Sequence, residues 1–214
     1  MPKGVNYPLY IPPSCAEVIA LIESSRPEAA VEFLTRKVQN GSHAGAALLA
    51  YIHLRGAAPK EGFPAAYKKC TSAAEAGEPY AEFVTAQILQ SAGKATEANT
   101  WLAKSCNHLF APALAHMGRN MTTGTGFPAP DRKSAMVMYR LALQRRHVPT
   151  LVLLARHLLG SRNPFAWLTG LLLTPVAILV AAVSFQLAPF ELNNFAHIYG
   201  STPPLFAARK SSSP

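Results

Sequence analysis

Small residues recur along this sequence at a nearly constant interval. Ala50, Ala86 and Gly118 stand 36 and 32 residues apart, and a further 37 residues lead to Ala155. A short turn follows each of them, and the turns contain Gly56, Gly93, Gly124 and Gly160. A period of about 36 residues is typical of stacked two-helix units, because one unit cannot bury its apolar face alone. The repeat therefore predicts an all-α chain built as a short solenoid.

A second helical stretch follows each of the first three turns. The three stretches read "AAYKKCTSAAEAG", "KATEANTWLAKSC" and "KSAMVMYRLALQ". Each is rich in alanine and carries one aromatic residue in a similar place, namely Tyr67, Trp101 or Tyr139. Small residues let two antiparallel helices approach closely. We expect the aromatic side chains to be buried as wedges between successive units.

The turn at Gly124-Thr125-Gly126 has an alternative interpretation as a phosphate-binding loop, because a basic helical stretch follows it. Nucleotide-binding loops of this kind follow a strand, or end in Lys-Ser or Lys-Thr. No strand pattern precedes Gly124, and no such dipeptide follows. The sequence therefore favours a tight turn between two helices.

The repeated units resemble the Sel1-like repeat family, which is related to the tetratricopeptide repeats. "GRNMTTGTGFPAPDRKSAMVMYRLALQ" resembles the family pattern over nearly its full length, and "LLAYIHLRGAAPKEGFPAAYKKCTSAAEAG" resembles it with a substituted loop. The middle unit has a shortened loop, "QSAGKATEA", and a recognisable "WLAKS". The resemblance covers about residues 42–160. It implies a scaffold that holds protein partners together at membranes.

A long apolar stretch follows the repeats. Residues 165–187, "FAWLTGLLLTPVAILVAAVSFQL", contain no charged side chain, and only 14% of the whole chain is charged. As a helix these residues would extend roughly 34 Å, compared with a hydrocarbon core of about 30 Å. A buried core helix of a soluble protein is the alternative. The sequence predicts one transmembrane helix and a single-pass membrane protein.

These features divide the chain into five parts. A proline-rich N-terminal segment occupies 1–14, and an atypical capping helix pair occupies 15–41. The Sel1-like repeats extend over 42–160. The predicted transmembrane helix covers 165–187, and a short C-terminal tail covers 188–214.

Positive charge is concentrated just before the apolar stretch. The net charge is +9, yet residues 1–118 carry ten Lys and Arg against nine Glu. Residues 119–162 carry eight basic residues and only Asp131 as an acid. We expect a membrane-surface group that binds anionic lipid headgroups, formed by Arg140, Arg145, Arg146, Arg156 and Arg162. Nucleic acid is not an expected partner, because aromatic residues do not alternate with these basic ones.

The same charge distribution predicts the orientation of the chain. Basic residues near a membrane helix stay on the cytoplasmic side. The repeats are therefore expected in the cytoplasm and the tail across the membrane. A bacterial inner membrane is the first expectation, and a mitochondrial or other organellar membrane is the alternative.

Small residues also form a stripe along the predicted membrane helix. They are spaced four, three, four, three and four residues apart, and they are Gly170, Thr174, Ala177, Ala181, Ser184 and Ala188. This spacing keeps one narrow face towards a crossing helix, and small surfaces are what pack helices together in a bilayer. We expect this stripe to be an interface with another helix, either a second copy or a partner's.

The sequence offers no pattern for catalysis or for a cofactor. Cys15, Cys70 and Cys106 lack metal-ligand spacing, and the seven histidines are scattered. We therefore predict no metal, cofactor or small-molecule substrate. The chain is interpreted as a non-enzymatic, membrane-anchored adaptor, an accessory subunit of a multi-protein membrane complex. The alternatives are a transient regulatory or localisation factor for an envelope, secretion or polysaccharide system, and an accessory domain of an enzyme.

Overall fold

The computed structural model of this protein describes residues 12–23, 27–54 and 60–187, with the side chains of the last helix described as far as Leu179. Every regular element in these ranges is a helix. The α-helices are α1 (Glu17–Glu23), α2 (Pro27–Gln39), α3 (His43–Leu54), α4 (Phe63–Glu75), α5 (Pro79–Ser91), α6 (Ala95–Asn107), α7 (Ala111–Thr123), α8 (Arg132–Gln144), α9 (Thr150–Leu159) and α10 (Pro164–Leu187). Short 3₁₀ turns at Pro13–Cys15 and Lys60–Gly62 precede α1 and α4.

The helices stack as consecutive pairs. The first helices α3, α5, α7 and α9 each pack mainly on the second helix that follows, which is α4, α6, α8 or α10. Each second helix except α10 also contacts the first helix of the next pair, and α2 packs on α3 at the N-terminal end. Each pair therefore completes the burial of its neighbour. This arrangement confirms the predicted all-α solenoid.

The turns between helices use glycine where the backbone must reverse. Gly77 after α4 and Gly124 after α7 have φ angles of +84° and +77°, in the left-handed region that favours glycine. Gly126 also has a positive φ, of +71°. The Gly124–Gly126 segment is thus a turn joining α7 to α8, as predicted. At the start of α5, the Glu78 carboxylate accepts a 2.5 Å hydrogen bond from the Ala81 amide.

A glycine on α7 makes room for the largest fully buried side chain among the described residues. A Cβ atom on Gly118 would stand 2.7 Å from Cε1 of Tyr139 on α8 and 3.2 Å from the Ala135 carbonyl oxygen. Tyr139 is only 1% exposed. The expectation of a buried aromatic wedge is confirmed at this residue.

The other two aromatics lie in a different register. Tyr67 and Trp101 are only half-buried at the edge of the core, and the Lys104 ammonium lies 3.7 Å from the Trp101 ring centre. Tyr139 of α8 instead corresponds in position to Leu102 of α6 and Cys70 of α4. The exposed fractions of these three side chains are 1%, 2% and 0%, respectively. The alanines of each second helix therefore determine which side faces the interior. Of the three aromatic residues, only Tyr139 lies on that side.

The helices α9 and α10 form a fourth pair. A Cβ on Gly170 would lie 2.8 Å from the Leu159 nitrogen and 3.0 Å from the Ala155 oxygen, so the two helices are in backbone-to-backbone proximity. The expected junction between repeats and membrane segment, at residues 160–165, thus lies inside a packed helix pair. Across the residues whose side chains are described, no helix has both the length and the apolar character needed to cross a membrane.

Candidate interaction surfaces

The described part of α10 is apolar on nearly all of its free surface. Its exposed large side chains are Phe165, Trp167, Leu168, Leu171, Leu172, Val176, Ile178 and Leu179. Elsewhere in the described residues only Leu109 and Val137 are both large, apolar and exposed. The second helices α4, α6 and α8 mostly present charged or polar side chains to solvent. Apolar surface this extensive indicates an interaction site, because soluble monomers rarely expose it.

The predicted stripe of small residues begins on the opposite, buried side of α10. Gly170 lies against α9, Ala177 is 3% exposed, and Thr174 is half-buried. The neighbour of this first half of the stripe is therefore α9 of the same chain. The side chains of Ala181 and Ser184, and the whole of Ala188, lie outside the described residues. The expectation of an interface with another chain's helix stays a prediction.

The predicted membrane-surface arginines are all exposed, but they are divided between two ends of α9. Arg145 and Arg146 lie in the turn before α9, whereas Arg156 is in its last turn and Arg162 follows it. A ten-residue helix separates its ends by about 15 Å. Arg140, one turn before the end of α8, lies on the Arg145 side of the molecule. The sequence cluster is therefore not one patch in space.

A row of polar side chains runs from α5 to α7. The His116 Nε2 lies 2.6 Å from the Gln90 Oε1 and 2.8 Å from Nη2 of Arg119. Phe83 stacks edge-on against the His116 ring, at 6.0 Å between centroids. Burial, with the nearby Arg119 cation, lowers the pKa of His116 well below its usual value, so the ring is neutral at pH 7.

One ring nitrogen cannot satisfy both neighbours of His116. If Nε2 carries the proton, it donates to Gln90 and cannot accept from Arg119; if it is unprotonated, it accepts from Arg119 only. The Arg119 guanidinium has five donors, and His116 provides at most one acceptor. Arg119 therefore retains donor capacity on the surface formed by α7.

A second polar group joins α7, α8 and α9. The Thr122 hydroxyl lies 3.1 Å from the Tyr139 hydroxyl and 3.0 Å from Nδ1 of His157. The Arg132 guanidinium donates to the His157 carbonyl oxygen. Burial raises the pKa of the Tyr139 phenol, while the cations Arg119, Arg132 and Arg156 act to lower it. The Thr122 hydroxyl therefore links the buried phenol of α8 to the histidine of α9.

The described residues contain no group of metal-ligating side chains. Cys70 and Cys106 are free thiols, and burial raises the pKa of each to about 12. A thiol with such a pKa stays protonated at neutral pH and is a poor nucleophile. The arrangement of the described side chains is suited to binding through hydrogen bonds, charge and apolar contact.

Sequence reasoning missed the polar row and the hydrogen bond from Arg132 to the His157 carbonyl oxygen. Their members come from three different helix pairs, and their separations in sequence vary. A partial signal existed in the net charge, because residues 119–162 contain eight bases and one acid. The distribution indicated a basic region without showing which groups the individual arginines contact.

The stacked helix pairs and their glycine turns define this chain as an α-solenoid repeat protein. Among solved structures, it is similar to a Sel1 repeat protein from Oxalobacter formigenes, with a TM-score of 0.53 and 20% identity. That similarity covers 73% of this chain and 69% of the other. The observed fold is therefore that of Sel1 repeats, as the sequence pattern predicted.

A second similar structure is a protective antigen of uropathogenic Escherichia coli strains that displays an SLR fold. Its TM-score is 0.53 at 17% identity, over 86% of this chain and 46% of that protein. This chain thus spans less than half of the antigen's length. No protein-family profile matches the chain, and no curated protein matches it. At these identities the two structures establish the fold.

Proposed function

We propose that this chain is a non-enzymatic adaptor that holds a protein partner at a membrane as a subunit of a larger complex. The observation that carries this proposal is the last helix, α10, whose large apolar side chains are exposed on every side that α9 does not cover. Such a surface is stable only when another apolar body covers it. The chain therefore functions in contact with a partner, a membrane or both.

The repeat fold supports the protein-binding part of the proposal. Stacked helix pairs create an extended surface, and repeat proteins use such surfaces for binding. Here Gln90 and Arg119 are half-buried on either side of the buried His116, so the two ends of the polar row reach the surface. Among the described side chains we see groups arranged for recognition, which favours an adaptor over an accessory domain of an enzyme.

The membrane part of the proposal rests on the apolar character of α10 and of the sequence up to Leu187. The arginine-rich sequence before α10 favours an orientation with the repeats in the cytoplasm. In a bacterium this orientation places the chain at the inner membrane. The α9–α10 pair sets a condition on this attachment. Gly170 lies beside the last turn of α9, and Ala177 lies about 10 Å further along α10, level with the first turn of α9. The part of α10 that follows Ala177 and extends beyond α9 is therefore only about 15 Å long. Spanning a core of about 30 Å would require α10 to separate from α9.

The test is a charge placed on the exposed side of α10. Leu172 is 64% exposed, so Leu172→Lys should leave the fold intact, and Val137→Lys on α8, at 50% exposure, is the matched control. Because lysine in an apolar phase costs about 2.5–3.5 kcal/mol, we expect the membrane-bound fraction relative to free protein to fall at least about tenfold for Leu172→Lys only. Sedimentation of the full chain with membranes measures this ratio.

The same experiment distinguishes the modes of attachment. Resistance of the wild type to alkaline carbonate extraction would favour a spanning helix, and release would favour attachment at the membrane surface. If the wild type remains in the supernatant at every lipid concentration, the membrane part of the proposal is wrong. The protein-binding part is tested separately, by cross-linking and co-purification in mild detergent, where a stoichiometric partner supports a complex subunit over a transient factor.

A further inference from the structure

Side-chain amides of α6, α7 and α5 form a chain of hydrogen bonds whose direction is fixed at one end. A backbone carbonyl can only accept, so the Asn99 Nδ2 must be the group that donates to the Thr125 oxygen, at 2.9 Å. The Asn99 Oδ1 then accepts from the Asn120 Nδ2, also at 2.9 Å. The Asn120 Oδ1 is left to accept from the Gln90 Nε2, at 3.4 Å. Each amide therefore orients the next one.

The far end of this chain determines which nitrogen of His116 carries the proton. With its Nε2 directed to Asn120, Gln90 presents its Oε1 to the His116 Nε2, at 2.6 Å. An amide oxygen accepts only, so the His116 Nε2 must carry a proton and donate it. The reverse orientation of Gln90 would place two acceptor oxygens, its own and that of Asn120, against each other. His116 is therefore a donor to Gln90.

This assignment leaves the Arg119 guanidinium without an acceptor. Its Nη2 lies 2.8 Å from the His116 Nε2, which carries a proton and offers no lone pair. His116 is the only hydrogen-bonding neighbour of the Arg119 side chain among the described residues, and Arg119 takes part in none of their ion pairs. Arg119 is half-buried, so water reaches its five donors only in part. An anion would stabilise such a cation strongly.

A second donor without an acceptor lies on the same side of α5. Gln87 comes one turn before Gln90, and its Nε2 is buried with no hydrogen-bond partner among the described residues. Phe83, one turn further back, packs edge-on against the His116 ring, at 6.0 Å between centroids. The side of α5 that faces α7 therefore lacks acceptors for the donors it holds.

The charge of the polar row matches a ligand with one negative charge. Arg119 is a cation, Gln90 is a neutral amide, and His116 is neutral because burial lowers its pKa. One guanidinium donates two parallel hydrogen bonds to one carboxylate. A phosphate dianion, a lipid surface or a nucleic acid is bound by several cations together. A single carboxylate is therefore the ligand group that this row fits.

We infer that Arg119, with Gln87 beside it, anchors a binding site for a carboxylate group of a partner protein, from an acidic side chain or a chain terminus. This inference rests on the proposed adaptor function and specifies the chemistry that the partner presents. His116, Gln90 and Asn120 are positioning residues. They hold the His116 proton towards Gln90 and so leave the Arg119 donors for the ligand.

The position of the proton is tested first, by ¹⁵N NMR of the histidine-labelled full chain in mild detergent. Protonated and unprotonated ring nitrogens have well-separated ¹⁵N shifts, and His116→Asn identifies the His116 signals among the seven histidines. We expect a proton on Nε2 and none on Nδ1 at neutral pH. A proton on Nδ1 alone would make Nε2 an acceptor for Arg119 and overturn the inference.

Binding is then measured with three short peptides of alanine and serine. The first has a central Glu and blocked ends, the second has a central Gln and a free C-terminal carboxylate, and the third has a central Gln and blocked ends. The side-chain NMR signals of Arg119 and Gln87 report binding. One bidentate pair alone supports an affinity of about 1 mM, so each titration extends to about 10 mM.

We expect saturable shifts of both signals with at least one carboxylate peptide and none with the neutral peptide. The peptide that binds identifies the source of the carboxylate. Equal shifts with the neutral peptide, or no shift with either carboxylate peptide, would overturn the inference. So would shifts of Arg119 at lower concentrations of inorganic phosphate than of either carboxylate peptide.

Two variants with matched controls test the residues. Arg119→Gln, followed through the Gln87 amide, should weaken binding at least about tenfold, because it removes charge-assisted hydrogen bonds. Lys133→Gln removes an exposed positive charge of α8 and should change binding less than about twofold. Gln90→Glu places a carboxylate inside the row, which should occupy Arg119 and weaken binding to a similar degree. Gln39→Glu makes the same charge change on the exposed side of α2 and should have no effect.

Circular dichroism shows whether each variant folds, and Gln90→Glu remains informative if Arg119→Gln does not. Equal weakening by Arg119→Gln and Lys133→Gln would reduce the effect to general charge and overturn the inference. If a stoichiometric partner is found whose binding Arg119→Gln leaves unchanged, the inference fails while the adaptor function stands.

Discussion

Gly118 shows how one missing side chain determines the approach of two helices. A Cβ at this position would lie 2.7 Å from the Tyr139 ring and 3.2 Å from the Ala135 oxygen, and both neighbours are buried. In an exposed helix, replacing glycine by alanine stabilises by about 0.5–1 kcal/mol. Here the added methyl group meets a ring that has no free space around it.

We therefore predict that Gly118→Ala lowers the free energy of unfolding, by about 1–3 kcal/mol, as overpacking does in other cores. Urea denaturation of the full chain in mild detergent measures the change. Combining it with Tyr139→Leu should give less than the sum of the two single effects, because the second change removes the ring that clashes. An increase in stability for Gly118→Ala alone would show that the ring can move aside at no cost.

The residue scale also shows what the sequence allowed us to predict. The period of small residues predicted the close approach of helices at Gly118 and the burial of Tyr139, but not the contact between these two residues. It misplaced Trp101, because Leu102 occupies the interior position of α6. A shift of one residue turns a helical side chain by about 100°. Composition cannot resolve such a shift when both neighbours are apolar.

At the scale of elements, α10 has two different sides. Ala177 is 3% exposed on the side towards α9, and the next residue, Ile178, is 48% exposed. The uncharged sequence predicted an apolar helix, and α10 is one over its described side chains. The role of α9 as its neighbour was not predictable from hydropathy, because a helix that is apolar all round gives no sign of which side is covered.

The difference in exposure between Ala177 and Ile178 leads to a prediction about the stability of the α9–α10 pair. Ala177→Leu should destabilise the α9–α10 pair by about 1–3 kcal/mol through overpacking, whereas Ile178→Leu should change stability little. Chemical denaturation of the full chain in a Trp101→Phe background, which leaves Trp167 as the one tryptophan, reports on this pair through intrinsic fluorescence. If the stripe instead serves an interface between chains, Ala177→Leu would reduce cross-linked oligomer and leave the denaturation curve of dilute protein unchanged.

At the scale of the whole molecule, the solenoid is stabilised mainly by contacts between neighbouring pairs. The α5–α6 pair packs against α4 on one side and α7 on the other, whereas α10 packs mainly on α9. Side-chain bonds reinforce the middle, since Asn120 of α7 donates to Asn99 of α6 at 2.9 Å and Asn99 donates to the Thr125 carbonyl at 2.9 Å. Those bonds could not be predicted from the sequence, because they join units whose relative rotation is fixed only by packing.

This asymmetry predicts a gradient of local stability, because a repeat at the end of a stack lacks half of its interface energy. In hydrogen exchange of dilute full-length protein, amides of α5 should exchange slowest and amides of residues 165–179 fastest among the helices α5–α10. Vesicles should slow exchange in 165–179 and leave α5 unchanged, because among the described helices only α10 offers them an extensive apolar surface. Leu172→Lys should remove the protection by vesicles and keep the gradient. Equal protection of α5 and α10 without vesicles, unchanged on further dilution, would mean that the apolar side of α10 is covered within the chain itself.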